Sequence, residues 1–137
     1  MSVPVQNPKA MTIAGYILSG LVILFLLFDS VIKLFPLPVV IETLTGLGYP
    51  PSENLARGLG IVTLICLALY AVPRTALLGA VLLTGYLGGA MATHLRAGSP
   101  LFSHLLFGFY VGLLLWAGLW LRDPKVRAVM PFLRQAP

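Results

Sequence analysis

Charged residues are scarce in this 137-residue chain, since Asp, Glu, Lys and Arg make up only 9% of it. Soluble domains carry about 25% charged residues. Hydrophobic residues reach 58% here, so a soluble globular protein is excluded and the composition predicts an integral membrane protein. The net charge of +5 does not indicate nucleic-acid binding, because the basic residues stand at the ends of apolar runs, as membrane topology requires.

Cysteine and histidine are also rare. The single cysteine, Cys66, excludes an intramolecular disulfide and a C-x-x-C redox motif. Two histidines with no cysteine nearby are a poor set of metal ligands, and Asp29 or Glu42 would have to complete the site. We expect no metal, haem or flavin, and the sequence shows no nucleophile–base motif of a hydrolase.

Four runs lack charged residues altogether: 10–28, 58–73, 75–93 and 97–121. A membrane-spanning helix needs roughly 20 apolar residues. We therefore predict an all-α fold in which residues 1–137 form one domain, a bundle of four transmembrane helices. The predicted helices cover about 11–33, 55–72, 75–95 and 101–121.

The one long connection, residues 34–54, contains a semi-apolar segment over 39–47. This segment is compatible with a short interfacial or re-entrant helix. Ser52 is a suitable N-cap for the second spanning helix. The other connections are short, which predicts a tight hairpin at Pro73 and a turn over residues 96–100.

The distribution of Lys and Arg predicts the orientation of the bundle. With four helices, both termini share a side, and the positive-inside rule places the more basic side in the cytoplasm. We therefore expect both termini on the cytoplasmic face of the cytoplasmic membrane. The basic tail there is expected to act as a topology signal, and contact with anionic lipid is the alternative. That side holds Lys9, Arg74, Arg122, Lys125, Arg127 and Arg134, and the other holds Lys33, Arg57 and Arg96.

Each predicted helix contributes one ionisable residue to a common layer on the non-cytoplasmic side: Asp29, Arg57, His94 and His104. A helical rise of about 1.5 Å per residue places them about 10–14 Å from the membrane midplane. Lys33 and Arg96 lie just beyond. Ionisable groups at this depth usually face the bundle interior or a wet cavity. The alternative is that side chains reach the lipid head groups, which suits the long Lys33 and Arg96 best.

Glycines and other small residues recur along the third predicted helix. Gly85, Gly88 and Gly89 suggest a surface on which helices approach closely. We expect this packing within the chain, and a homo-oligomer face is the alternative. The GYLGGA string lacks the spacing of a dinucleotide fingerprint.

A quinone site is the chemistry that fits the polar layer best. Quinone carbonyls need hydrogen-bond donors and their reduction needs protons, which aspartate and histidine near the interface can supply. An isoprenoid tail would lie in an apolar groove beside the small-residue helix.

Five blocks of the sequence resemble the DoxX-like family of small four-helix membrane proteins: LFDSVIKLF (27–35), ETLTGLGYP (42–50), YAVPRTALLGAVLLTGYLGGAMATHLRAG (70–98), PLFSH (100–104) and LWAGLWLRDP (115–124). The resemblance implies a four-helix fold in the cytoplasmic membrane. Some relatives are similar to subunits of a thiosulfate:quinone oxidoreductase, others to membrane partners in thiol-redox complexes or to assembly factors. The resemblance implies a redox or quinone link without a catalytic mechanism.

Three functional hypotheses follow. The first is a quinone-linked accessory subunit of a redox complex, at most the membrane subunit of an oxidoreductase, with a partner protein as electron donor. In it Asp29, His94 and His104 bind the head group and move protons, and Arg57 or Arg96 balances charge. The second is a non-enzymatic scaffold or assembly factor with a structural polar layer. The third is a carrier of a lipid or small molecule. Inverted repeats would favour a carrier, and we find none in the sequence.

Overall fold

The computed structural model describes residues 7–134, which form six α-helices and one π-helical turn. The π-helical turn, Leu101–Leu105, follows the fourth helix and leads into the fifth. The helices are α1 (Lys9–Leu34), α2 (Pro38–Gly46), α3 (Glu53–Ala71), α4 (Ala76–Ala97), α5 (Phe107–Arg122) and α6 (Pro124–Val129).

Four helical segments within residues 7–134 are long and apolar enough to cross a membrane, which confirms the predicted fold class. They are α1, α3, α4 and the segment Leu101–Arg122. The last segment differs from the prediction, because it begins as a π-helical turn in which the amide of Leu106 donates to the carbonyl of Leu101 at 2.9 Å. Regular α-helix starts only at Phe107.

Local signals fix the helix ends. Ser52 is the N-cap of α3, as predicted, and its hydroxyl accepts a hydrogen bond from the amide of Leu55 at 3.2 Å. Gly98 ends α4 in the left-handed conformation, with φ at 72°. The amide of Ser99 then bonds back to the carbonyl of His94 at 3.0 Å, which is the Schellman closure. This turn brings Ser99 close to His94 in space.

The four spanning segments form a ring in which each packs on two neighbours: α1 on α3 and α5, and α4 on α3 and α5. Leucine, valine and alanine fill the centre of the ring. Tyr70 is fully buried among them, and its hydroxyl lies 2.7 Å from the carbonyl oxygen of Leu115 and 2.9 Å from Oγ of Ser19. Large apolar side chains such as Leu24 and Phe28 are exposed on the outside, as expected of a surface that meets lipid acyl chains.

The glycine prediction for α4 is wrong within the chain. A Cβ built at Gly85, Gly88 or Gly89 would meet no atom of the described residues within 4 Å, so these glycines do not bring helices together. Gly79 does so instead, since a Cβ there would lie 2.2 Å from the backbone nitrogen of Tyr70. The reason is helical phase, because Gly79 shares the buried face of α4 with Ala76, Ala80 and Leu83.

Gly15 and Gly118 hold α1 against α5 in the same way. A Cβ at Gly15 would lie 2.8 Å from the carbonyl oxygen of Gly118, and one at Gly118 would lie 2.8 Å from the amide nitrogen of Ser19. Small residues let membrane helices approach closely and gain van der Waals contact. The buried faces of α1, α4 and α5 thus depend on single glycines.

The short helix foreseen in the first loop is present as α2. Pro38 occupies its first turn, where a missing amide hydrogen costs nothing. Val40 and Leu44 are buried with Ala56 of α3, so α2 is held to the bundle by one apolar face.

The two ends of the described chain meet at one end of the bundle. Nδ2 of Asn7 donates to the carbonyl oxygen of Leu121 at 2.8 Å, and Nη2 of Arg127 donates to Oδ1 of Asn7 at 2.6 Å. The opposite end carries α2 and the turn between α4 and the π-helical turn. The residues of the predicted polar layer belong to this opposite end.

Candidate functional site

A cavity of about 610 Å³ lies between α1, α2 and α4, beneath the connection from α2 to α3. We call it the main cavity. Its volume falls in the range of about 300–1,000 Å³ typical of small-molecule sites. Its lining is apolar apart from a few polar side chains, which belong to Asp29, Lys33, Thr43, Tyr49, Tyr86, Thr93 and His94.

An ion pair with a tyrosine forms the polar centre of the main cavity. Nζ of Lys33 donates to the carboxylate of Asp29 one helical turn earlier, and also to the hydroxyl oxygen of Tyr86 on α4 at 3.2 Å. The side chains of Lys33 and Asp29 are 17% and 25% exposed, so the pair is largely enclosed. Asp29 and Lys33, four residues apart on one helix face, thus form an ion pair that faces the cavity.

Within residues 7–134, the cluster of Lys33, Asp29 and Tyr86 keeps hydrogen-bond donors free. An ammonium has three N–H donors, of which Lys33 uses two. The phenol of Tyr86 accepts from Lys33, so its own proton is available to another acceptor. The cavity can therefore offer two adjacent donors to an acceptor group on a ligand.

A second group of polar side chains lies farther toward the C-terminal end of α4. The hydroxyl of Tyr49 lies 3.4 Å from Oγ1 of Thr93, which donates to the carbonyl oxygen of Gly89 at 2.9 Å. Nδ1 of His94 lies 2.8 Å from Oγ of Ser99, brought there by the Schellman turn. This contact orients the imidazole of His94, which lines both cavities.

His104 joins the site through a smaller cavity of about 160 Å³. This smaller cavity shares Asp29, Lys33, Tyr86 and His94 with the main cavity and adds His104 at its far edge. The ring centroids of the two histidines lie 6.0 Å apart in an edge-to-face arrangement. His104 is itself exposed, and its Nδ1 lies 2.7 Å from Oγ of Ser103. Both histidines thus line the same small cavity as Lys33, Asp29 and Tyr86, and His104 also lies at the protein surface.

Arg57 does not join this group, which corrects its predicted place in the layer. Its guanidinium pairs with Glu53 on the same helix at 3.1 Å, and both side chains are about half exposed or more. Within the described residues it lines neither cavity. Helical phase explains this, because α3 turns Ala56 and Gly60 toward the bundle and Arg57 away from it.

Arg96 holds the chain above the main cavity and does not line it. Its Nη2 donates to the carbonyl oxygen of Leu47 at 3.0 Å, just after α2. The same nitrogen would lie 2.9 Å from a Cβ at Gly48, where φ is 94° and a side chain would be strained in any case. Arg96 is therefore a structural clasp between α4 and the α2–α3 connection.

The electrostatic character of the main cavity is close to neutral. Lys33 and Asp29 are the only charged residues among its described lining residues, and their charges cancel. Residues 7–134 contain no group of three His, Cys, Asp or Glu side chains placed to hold a metal ion.

Sequence reasoning missed Tyr49, Tyr86 and Thr93, which are uncharged and so escaped a search for ionisable groups. A usable signal was present on α4. Tyr86, Ala90 and Thr93 follow the i, i+4, i+7 spacing of one helix face. Two hydroxyl side chains on one face of an otherwise apolar spanning helix indicate a polar surface inside the bundle.

The chain matches the sequence profile of the DoxX-like family over residues 17–118. This range includes both cavities and all the ionisable residues of the predicted layer. Comparison with curated proteins and with solved structures gave no significant match.

Proposed function

The chain belongs to the DoxX-like family, and we propose that it is a quinone-binding accessory subunit of a redox complex in the membrane. The observation that carries the proposal is the Lys33–Tyr86–Asp29 cluster in the main cavity, where free hydrogen-bond donors lie in apolar surroundings. A quinone head group is a flat ring with carbonyl oxygens that accept hydrogen bonds. Lys33 and Tyr86 supply donors to one carbonyl, and the hydroxyl-bearing outer part of the cavity faces the other.

Charge favours a neutral ligand. An inorganic anion such as thiosulfate needs an excess of positive charge, because burying an unpaired charge is costly. Among residues 7–134, the paired Lys33 and Asp29 are the only charged groups on the cavity wall. Arg57 and Arg96, which sequence reasoning offered for charge balance, are engaged elsewhere. Lys33 takes that role in the proposal.

Proton exchange with the ligand would use the groups that line both cavities. Tyr86 and Lys33 hold protons next to the head group, and both line the smaller cavity together with His94 and the exposed His104, which would provide a proton path to the surface. Histidine exchanges protons near neutral pH, which suits such a path. Reduction of a quinone to a quinol takes up two electrons with two protons, and in this proposal the electrons come from a partner protein.

The proposal includes the location. Six Lys and Arg residues belong to the end of the bundle where the chain ends meet, and three belong to the end with the cavities. By the positive-inside rule the cavities then open in the outer half of the cytoplasmic membrane, with both termini in the cytoplasm.

Photoaffinity labelling tests the proposal. The purified protein is illuminated with an azido-benzoquinone that carries one isoprenoid unit, and unlabelled quinone competes for the site. We expect adducts on the segments that line the main cavity, 29–33, 39–49 and 85–94. Loss of one hydrogen bond costs about 0.5–1.5 kcal/mol, so Lys33→Met and Tyr86→Phe should each weaken competition by up to about tenfold.

The controls are Arg57→Met and Tyr110→Phe, which remove a positive charge and a phenol hydroxyl outside both cavities. They should leave competition unchanged. Scattered adducts that excess quinone does not displace would reject the proposal and favour the scaffold. Equal effects of test and control variants would reject the assigned head-group residues.

A further inference from the structure

The main cavity has an open side between α2 and α4. The lining residues there are Val39 and Thr43 of α2 and Gly85 and Gly89 of α4, and all four are exposed. A Cβ at Gly85 or Gly89 would meet no atom of residues 7–134 within 4 Å. The cavity is therefore unwalled on the side where α4 carries these two glycines.

The depth of this opening decides what can enter it. Gly85 and Gly89 lie about 2 Å and 4 Å from the middle of α4 along the helix axis, at about 1.5 Å per residue. The hydrocarbon core of a bilayer is about 30 Å thick. The opening therefore faces acyl chains, and a ligand that enters through it comes from the lipid phase.

The size of the cavity sets a limit on what stays inside. Its lining on α4 extends from Gly85 to His94, which is about 14 Å along the helix axis. The polar groups take up the part around Lys33, Tyr86 and Thr93, so a head group leaves little length for a tail. A chain long enough to cross a leaflet must continue outside the protein.

We propose that the ligand bears a long apolar tail and that this tail leaves the main cavity sideways between α2 and α4, over Gly85 and Gly89. The inference rests on the proposed function and adds the class of ligand, a lipid-tailed quinone, and its route of entry. The polar head binds at the Lys33 cluster while the tail lies in the bilayer. Gly85 and Gly89 then serve as an opening, in place of the helix contact that the sequence suggested.

Tail-length selectivity tests this route. The photolabelling competition is repeated with ubiquinone of one isoprenoid unit and of ten units, on the wild type, Gly85→Leu and Gly89→Leu. Gly88→Leu is the matched control, because Gly88 is exposed on the same helix with equally free space and does not line either cavity. Each quinone partitions into the detergent to the same extent for every variant, so differences between variants in the same micelles report binding to the protein.

We expect Gly85→Leu to weaken competition by the ten-unit quinone at least tenfold and by the one-unit quinone less than twofold. Gly89→Leu should act in the same direction, and Gly88→Leu should match the wild type with both quinones. If Gly85→Leu and Gly89→Leu affect the two quinones equally, or affect neither, the sideways route is wrong and the quinone site stands. If the wild type binds neither quinone, the proposed function itself fails.

Discussion

Gly79→Ala gives the most direct test of how α4 meets α3. An ideal Cβ at this position would lie 2.2 Å from the nitrogen and 2.5 Å from the Cα of Tyr70, and 2.8 Å from the carbonyl carbon of Leu69. These are backbone atoms, which cannot rotate away as a side chain can. Ordinary van der Waals contact begins near 3.4 Å, so the two helices must separate by about 1 Å.

The cost follows from this separation. Overpacking of a tight core costs about 1–3 kcal/mol. Movement of Tyr70 also strains its hydrogen bond to the carbonyl of Leu115, which contributes about 0.5–1.5 kcal/mol. Because the hydrogen bond is strained and not fully lost, we expect Gly79→Ala to lower the free energy of unfolding by about 2–3 kcal/mol, or roughly 30–150-fold in the unfolding constant.

Unfolding in mixed micelles, titrated with a denaturing detergent and followed by circular dichroism, measures this change. Gly88→Ala is the control, because a Cβ there meets no described atom and alanine favours the helix by up to about 1 kcal/mol. If Gly79→Ala proves as stable as Gly88→Ala, the close approach of α3 and α4 at Tyr70 is wrong.

Two further predictions concern the cavity end of the bundle. Asp29→Asn leaves the ammonium of Lys33 without its carboxylate and should lower unfolding stability by about 1–3 kcal/mol, whereas the double variant with Lys33→Met should recover most of the loss in the same titration. A double variant no more stable than Asp29→Asn would refute the pairing. Arg96→Leu frees the carbonyl of Leu47 and should speed hydrogen exchange over residues 47–52 at least severalfold, measured by mass spectrometry. Exchange equal to that of the wild type would show that the clasp has no structural effect.

Arg57→Leu is the control for the exchange experiment. Among residues 7–134, the guanidinium of Arg57 hydrogen-bonds only to Glu53 on its own helix, in an exposed ion pair. Exposed pairs of this kind contribute about 0–1 kcal/mol. Hydrogen exchange over residues 47–52 should therefore stay at the wild-type rate.

The spanning helices could be predicted because a helix must be long and hydrophobic enough to cross the bilayer. Both properties can be read directly from the sequence. The same holds for the Asp29–Lys33 pair, since residues four apart share a helix face whatever surrounds them. Ser52 and Gly98 act through their own backbone neighbours, so the helix ends they set are also local. Each of these features depends only on residues close together in one helix, so it could be predicted without knowing how the helices pack.

The environments of Arg57 and of the α4 glycines could not be predicted in this way, because they depend on how the helices pack. Depth along a helix follows from residue number, and it placed Arg57 level with Asp29. Which way a side chain points around the helix axis depends on the neighbours, and α3 directs Arg57 outward. Gly79 and Gly85 are equally small, and only the position of α3 makes one of them a contact and leaves the other on an open cavity side.

The sequence alone determined that this chain spans a membrane four times and carries ionisable groups toward one end of the bundle, because hydrophobic length and spacing are local properties. The tertiary structure decided which of those groups share a cavity. It brought Tyr86 to Lys33 and His94 to within 6.0 Å of His104, and it turned Arg57 away. The physical reason is that a site is made by side chains from separate helices, and their rotation and distance are fixed only when the helices pack.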